Sequence, residues 1–312
     1  MLSGALLSGC NSKFFSPTAP SVTSEKGSVG KDGLISVDTP EGQIRWSPYI
    51  VVQPDGGAVE GYRKALTEMK ARGNVRGVRI PLNPFRDLVV QLVSSLGIEI
   101  TGIIPNEELL GPNPEAMMDR YISIYPDIKI LQIGNEVSTL PGTETMTVEQ
   151  YMNVFKKIYS HVQLRHPSVI LMTQSTFGAG FYGSNELRKM VELGLKPDTI
   201  SPQRVIVGVN VYTDDALSEY VSTRNQYLDT SRGGYRIWVM ECGHSVLSEH
   251  ISKVKSFYPR LTSALGAERI YWYVLWGGDV GATDANFGLI QNPRDPSRMI
   301  YSPLGKALAG VQ

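Results

Sequence analysis

The chain reads as an α/β protein, a single-domain (β/α)8 barrel, on three observations. Eight short β-prone runs recur at intervals of roughly 25 to 40 residues, helical segments with one apolar face separate them, and two of the runs close on a glutamate. The runs span 44–52, 75–82, 98–104, 128–134, 169–173, 205–211, 236–240 and 270–275. Eight evenly spaced units favour closure over the rival open, doubly wound sheet. Such a barrel takes about 250 residues, so a chain of 312 residues needs no second domain.

Taken in order, the first ten residues end in Leu7-Ser-Gly-Cys10, which resembles a bacterial lipobox. Residues 1–10 therefore read as a partial signal segment, with Cys10 the expected lipidation site. Asn11 in the next position leans the address toward the outer membrane or cell surface. Residues 11–42 are rich in Ser, Thr, Pro and Gly and read as a flexible tether. Residues 43–312 hold the barrel. The remaining cysteine, Cys242, then has no disulfide partner and reads as an inert buried thiol.

The helices carry their own start and stop signals. Tyr62, Leu66 and Met69 share a face that ends at Gly73. Asn83 is positioned to cap a helix from Pro84, with Leu88, Leu92 and Leu96 on one side and Gly97 at the end. Thr147-Val-Glu-Gln150 has the spacing of a capping box, and Tyr151, Phe155, Ile158 and Val162 follow at helical intervals. A last helix starts at Pro303.

Lys plus Arg balance Asp plus Glu at 30 each, with no basic stripe or charge block. Nucleic acid is not an expected partner. From residue 43 onward nothing approaches the roughly 18 continuous apolar residues of a membrane span, so membrane contact is expected only through a lipid anchor. The four histidines, His161, His166, His244 and His250, form no metal-binding spacing, and no metal or other cofactor is expected. The chain is expected to act as a monomer.

The chemistry concentrates at strand ends. Glu136 closes Ile128-Lys-Ile-Leu-Gln-Ile-Gly-Asn-Glu136, and Glu241 closes Arg236-Ile-Trp-Val-Met-Glu241. Residues after parallel strands line the active face of a β/α barrel. Alternation back from Glu136 puts Gly134, Gln132 and Ile130 inside; back from Glu241 it puts Val239 and Ile237 inside. Either glutamate alone is an ordinary loop acid. Together, with Asn135 directly before Glu136 and Arg79, Tyr212 and Trp276 at other strand ends, they form a pair of carboxylates in polar company. Paired carboxylates across a rim are what acid/base cleavage of a sugar acetal requires.

These motifs resemble those of the clan A glycoside hydrolases, TIM barrels with Asn-Glu after strand four and Glu after strand seven. Leu131-Gln-Ile-Gly-Asn-Glu136 is similar to the strand-four motif, Trp238-Val-Met-Glu241 to strand seven, Tyr271-Trp-Tyr-Val-Leu-Trp276 to strand eight and Gly77-Val-Arg79 to the strand-two arginine segment. The resemblance runs from about residue 43 to the C-terminus. It implies that Glu136 is the general acid/base and Glu241 the nucleophile of a retaining hydrolase of β-linked glycans. Asn135, Arg79, Tyr212, Trp276 and Trp46 are the expected substrate-binding or supporting residues. Short loops at 106–114 and 137–147 hint at an open cleft and endo action. A transglycosylase on the same scaffold and a non-catalytic glycan-binding barrel lipoprotein remain as alternatives. Sugar and linkage are not legible, because loops at the barrel mouth choose them.

Overall fold

The computed structural model describes residues 33–85, 87–138, 145–178, 181–228 and 234–311. Cys10 and most of the expected tether lie outside the described residues. Eight parallel strands close a barrel: β3 (Tyr49–Val51), β4 (Gly77–Pro81), β5 (Glu99–Ile104), β6 (Ile130–Ile133), β7 (Ile170–Thr176), β8 (Val205–Asn210), β9 (Arg236–Cys242) and β10 (Ala267–Trp272), with β10 pairing back onto β3. Helices α1 (Val59–Ala71), α2 (Leu88–Ser95), α3 (Pro114–Ile124), α4 (Val148–Arg165), α5 (Phe181–Glu192), α6 (Asp214–Thr223), α7 (His250–Ser263) and α8 (Pro303–Ala309) form the outer layer. None of the described helices is long and apolar enough to cross a membrane.

The first predicted run, 44–52, is two elements. Its front half belongs to an antiparallel hairpin of β1 (Ile35–Thr39) and β2 (Gly42–Trp46), and only its end is barrel strand. Alternate hairpin residues Ile35, Val37, Ile44 and Trp46 are buried, and the hairpin packs on α7 and α8. The stretch assigned to the tether thus includes an ordered strand at Ile35–Thr39. Ser47 and Pro48 break the run, since proline cannot supply a ladder N–H.

Local signals fix most helix starts. The capping box at Thr147 forms as its spacing predicts. Helix α2 starts later than expected: Asp87, not Asn83, is its cap and accepts from the Val89 N–H at 2.6 Å. Asn83 instead closes a turn, accepting from the Phe85 N–H at 2.9 Å. Leu88 is consequently exposed, and Val89, Leu92 and Val93 face the core.

Two cores result, as expected for a barrel sheathed in helices. The larger lies between strands and helices. The smaller fills the barrel itself with Val51, Ile130, Met172, Ile206, Trp238, Met240 and Tyr271. On β9 the inward residues are therefore Trp238 and Met240, the opposite phase to the expected Ile237 and Val239. The register explains how Glu241 still reaches the mouth. Val209 pairs with Val239 but the next residue, Asn210, pairs with Glu241, so β9 carries one extra residue there. The β10 side shows the same shift. A β-bulge of this kind re-aims the side chain that follows it.

Candidate active site

Arg79 on β4 organises the mouth of the barrel from beneath. Its side chain is 1% exposed, and every nitrogen of its guanidinium has an acceptor. Nε donates to Gln132 Oε1 at 2.8 Å, Nη1 to Glu241 Oε1 at 2.6 Å, and Nη2 to Asn135 Oδ1 at 2.7 Å and Ser175 Oγ at 3.3 Å. A planar fork with five donors suits such a hub, where a lysine would reach fewer partners. The other Glu241 oxygen accepts from the Tyr212 hydroxyl at 2.8 Å. Both oxygens of this buried carboxylate are thus held by donors, one of them a fixed cation.

Glu136 is set differently. Strand β6 ends at Ile133, and Gly134 follows at φ +74°. A Cβ there would meet Val137 Cγ2 at 2.4 Å, so the Leu131-Gln-Ile-Gly-Asn-Glu136 motif needs its glycine for a close turn. Glu136 itself adopts φ +48°, a left-handed conformation uncommon for this residue type. Surrounding bonds hold it: its N–H donates to Ser175 O at 3.0 Å, and the Val137 N–H donates to Gln174 Oε1 at 2.6 Å. Asn106 clamps the preceding peptide from both sides, accepting from the Asn135 N–H and donating to the Asn135 carbonyl, each at 2.8 Å. Asn135 Oδ1 is taken up by Arg79 and the Ser175 hydroxyl, which leaves its amide N–H groups to offer.

Burial and the nearby Glu241 charge push the Glu136 carboxyl up to about 7. The Asn210 amide, donating to Glu136 Oε1 at 2.6 Å, and the more distant Arg79 pull the other way. Glu136 is thus a carboxyl that keeps its proton near neutrality, beside a second carboxyl paired with Arg79. Burial and the facing Glu241 carboxylate raise the Tyr212 phenol well above its ordinary value, so it stays a hydrogen-bond donor.

Both glutamates line one cavity of about 620 Å³ at the end of the barrel where the strands finish. Tyr212, Tyr273, Phe177, Phe287, His244 and Lys253 also line it. The structure therefore brings together five of the sequence-predicted site residues: Glu136, Glu241, Asn135, Arg79 and Tyr212. It does not bring the two tryptophans. Trp46 is fully buried where the strands begin, stacked on Tyr258 at 5.7 Å with its Nε1–H donating to the Asn74 carbonyl at 2.8 Å. Its place is fixed by the hairpin, which ends before the barrel starts. Trp276 is 5% exposed, packed beside Tyr62 with the Arg294 guanidinium 4.8 Å over its ring.

Tyr273 is the aromatic residue that sequence reasoning missed. It is the first residue past the end of β10, lies edge-on to Tyr212 at 6.4 Å between ring centres and donates its hydroxyl to Asp284 Oδ2 at 2.7 Å. Placing the last strand at 270–275 pushed the rim out to Trp276. The observed strand, Ala267–Trp272, moves it back to Tyr273. The available signal was the run of four aromatics in 271–276, which locates the wall but not the member that faces the cleft.

Cys242 is fully buried, and burial pushes its thiol up to about 12. It offers no thiolate chemistry. Among the described residues one group of His and carboxylate donors comes together. Asp119 Oδ1 on α3 lies 2.7 Å from Nε2 of His161 on α4 and 2.6 Å from Nε2 of His166, the residue just after α4. No member of that group lines the cleft.

No family model matches the chain, and no curated protein matches it. Solved structures do. A monomeric β-xylosidase from Caulobacter crescentus CB15 superimposes with a TM-score of 0.61 at 12% identity, over 85% of this chain and 67% of that one. A GH39 enzyme from Xanthomonas axonopodis pv. citri gives 0.60 at 10% identity, over 85% and 65%. A β-mannanase from Thermomonospora fusca gives 0.53 at 15% identity, over 90% and 93%. The chain spans about two thirds of the first two proteins and nearly all of the third. At these identities the closed barrel fold is what the proteins share.

Proposed function

We propose that this protein is a retaining glycoside hydrolase acting on a β-linked glycan. One observation carries the reading. Two glutamates from opposite sides of the barrel share one cavity, one built to hold its proton near pH 7 and the other tied to an arginine and a tyrosine. In the first step Glu241 attacks the anomeric carbon as the bond to the leaving oxygen breaks, and that oxygen takes the Glu136 proton. In the second, water attacks the same carbon, gives a proton to Glu136 and releases Glu241. Asn135 offers its amide N–H groups to a sugar hydroxyl, and Tyr212 and Tyr273 supply aromatic walls.

Proton NMR of the product first formed from a β-linked substrate tests the stereochemistry, with the β-anomer expected and the α-anomer refuting the double displacement. Endo action on a polysaccharide is the finer proposal, supported by the short loops at 106–114 and 137–147, most of the second lying outside the described residues. A polysaccharide digestion screen tests it through the size of the first products: a ladder of oligomers supports it, and release of monosaccharide alone refutes it. New glycosides formed in place of free sugar would instead identify a transglycosylase. Glycan binding without turnover would identify a non-catalytic barrel.

We further propose export and lipidation at Cys10, supported by Leu7-Ser-Gly-Cys10. Labelled palmitate incorporated into the wild type and absent from Cys10→Ala is the expected result. Equal labelling of both would refute it. The protein is proposed to work as a monomer, which its sedimentation velocity tests.

A further inference from the structure

A third carboxyl, Glu186, lies buried behind the Glu136 turn and has no role in the scheme above. It stands on α5 at 4% exposure. Its Oε1 accepts from the Ser138 hydroxyl and from Gln174 Nε2 at 3.1 Å, while its Oε2 is buried without a hydrogen-bond partner. Gln174 is the other half of the arrangement. Its Nε2 also donates to Ser138 Oγ at 3.0 Å, its Oε1 accepts from the Val137 N–H at 2.6 Å, and its own N–H donates to the Tyr151 hydroxyl at 2.7 Å. The two residues after Glu136 are therefore tied to one amide and one carboxyl that reach in from β7 and α5.

This arrangement is unusual in what it leaves unpaired. An ionised carboxylate with a bare buried oxygen and, among the described residues, no ion-pair partner would be costly. Burial raises the Glu186 carboxyl to about 8, and the Glu136 charge adds to the rise. The peptide N–H groups of Phe177 and Ser138 and the Gln174 amide oppose it. At neutral pH the group is an uncharged acid, able to accept two hydrogen bonds without placing a full charge behind Glu136.

A plain filling role for a polar side chain in the core would need none of these links. They matter because Glu136 sits in a backbone conformation that relaxes unless its neighbours prevent it. We propose that Glu186 is a positioning residue for Glu136: through Ser138 and Gln174 it fixes the turn at 136–138 and so aims the Glu136 carboxyl into the cleft. The inference rests on reading Glu136 as the proton donor.

The experiment compares wild type, Glu186→Ala and Glu186→Gln on two readouts. The first is kcat/KM on aryl β-glycosides with activated and with poor leaving groups. A misaimed proton donor hurts only the poor ones, so Glu186→Ala should lose roughly tenfold or more on phenyl glycosides and far less on dinitrophenyl glycosides. Glu186→Gln, an analogue of the neutral acid, should recover most of that loss. Equal losses on both substrates, or none in a folded variant, would overturn the proposal.

The second readout needs no turnover: carboxyl 13C shifts followed against pH, with the Glu136 signal assigned through Glu136→Gln. In Glu186→Ala the Glu136 midpoint should fall below its wild-type position as the freed carboxyl reaches water, and an unmoved midpoint would refute the link. Should the alanine variant fail to fold, Ser138→Ala at a half-buried position removes one arm of the same linkage and carries both comparisons. A wild type that hydrolyses no glycoside sinks the hydrolase reading, and the carboxyl titration then decides the positioning claim by itself.

Discussion

The ends of β6 and β9 carry the same side chain to the same cavity by different means. At β9 one extra residue in the strand turns Glu241 inward, onto a buried guanidinium and a phenol. At β6 the strand stops, a glycine turns the chain, and Glu136 hangs from a left-handed backbone with one amide donor. The first carboxyl has both oxygens held by donors, one of them a buried cation. The second is surrounded by burial and a like charge and favours its proton. Two identical residues acquire complementary chemistry from what stands within hydrogen-bond reach.

The sharpest way to break this comparison is to delete the members in turn. Glu241→Ala should abolish turnover on every substrate, with azide partly restoring it as a β-to-α inverted glycosyl azide. Near wild-type rates without azide would end the nucleophile assignment. Glu136→Ala should be selective, losing roughly 10² to 10⁴-fold on poor leaving groups and much less on activated ones. A leaving-group series measures that slope directly.

Arg79→Met probes what holds the β9 side. It strands the Glu241 carboxylate in a buried site, and urea unfolding should show a loss of about 3–5 kcal/mol. A cost below about 1 kcal/mol would mean that water reaches Glu241 freely.

The smallest effect tests the β6 side. On the proposed mechanism, rates should fall as pH rises through about 7, where Glu136 gives up the proton assigned to it. Asn210 donates to the charged form and so lowers this midpoint. Asn210→Ala should therefore move the alkaline limb of kcat/KM to higher pH, by less than about one unit. A shift to lower pH would show that the Asn210 bond favours the protonated form.

Strand identity was legible because each barrel strand is a run of apolar, often β-branched residues punctuated by helix caps. Phase was not. Alternation put Ile237 and Val239 inside, but a bulge is set by how β8 and β10 pair with β9, which no local pattern records. The same limit applies to the aromatic wall, where a three-residue shift in where β10 ends exchanged Trp276 for Tyr273. Trp46 failed for a related reason: a β-prone run does not say that Ser47 and Pro48 will divide it between a hairpin and the barrel.

By itself the sequence determined the repeating βα order, the glycine that permits the turn before Glu136, and the presence of two glutamates and an arginine at strand ends. Each follows from local steric or periodic preferences of the chain. Only the tertiary structure decided that Arg79 spans Gln132, Asn135, Ser175 and Glu241, that Tyr273 faces the cleft, and that Glu186 stands behind Glu136. Those contacts join residues far apart along the chain, and closing the barrel is what brings their side chains within bonding distance.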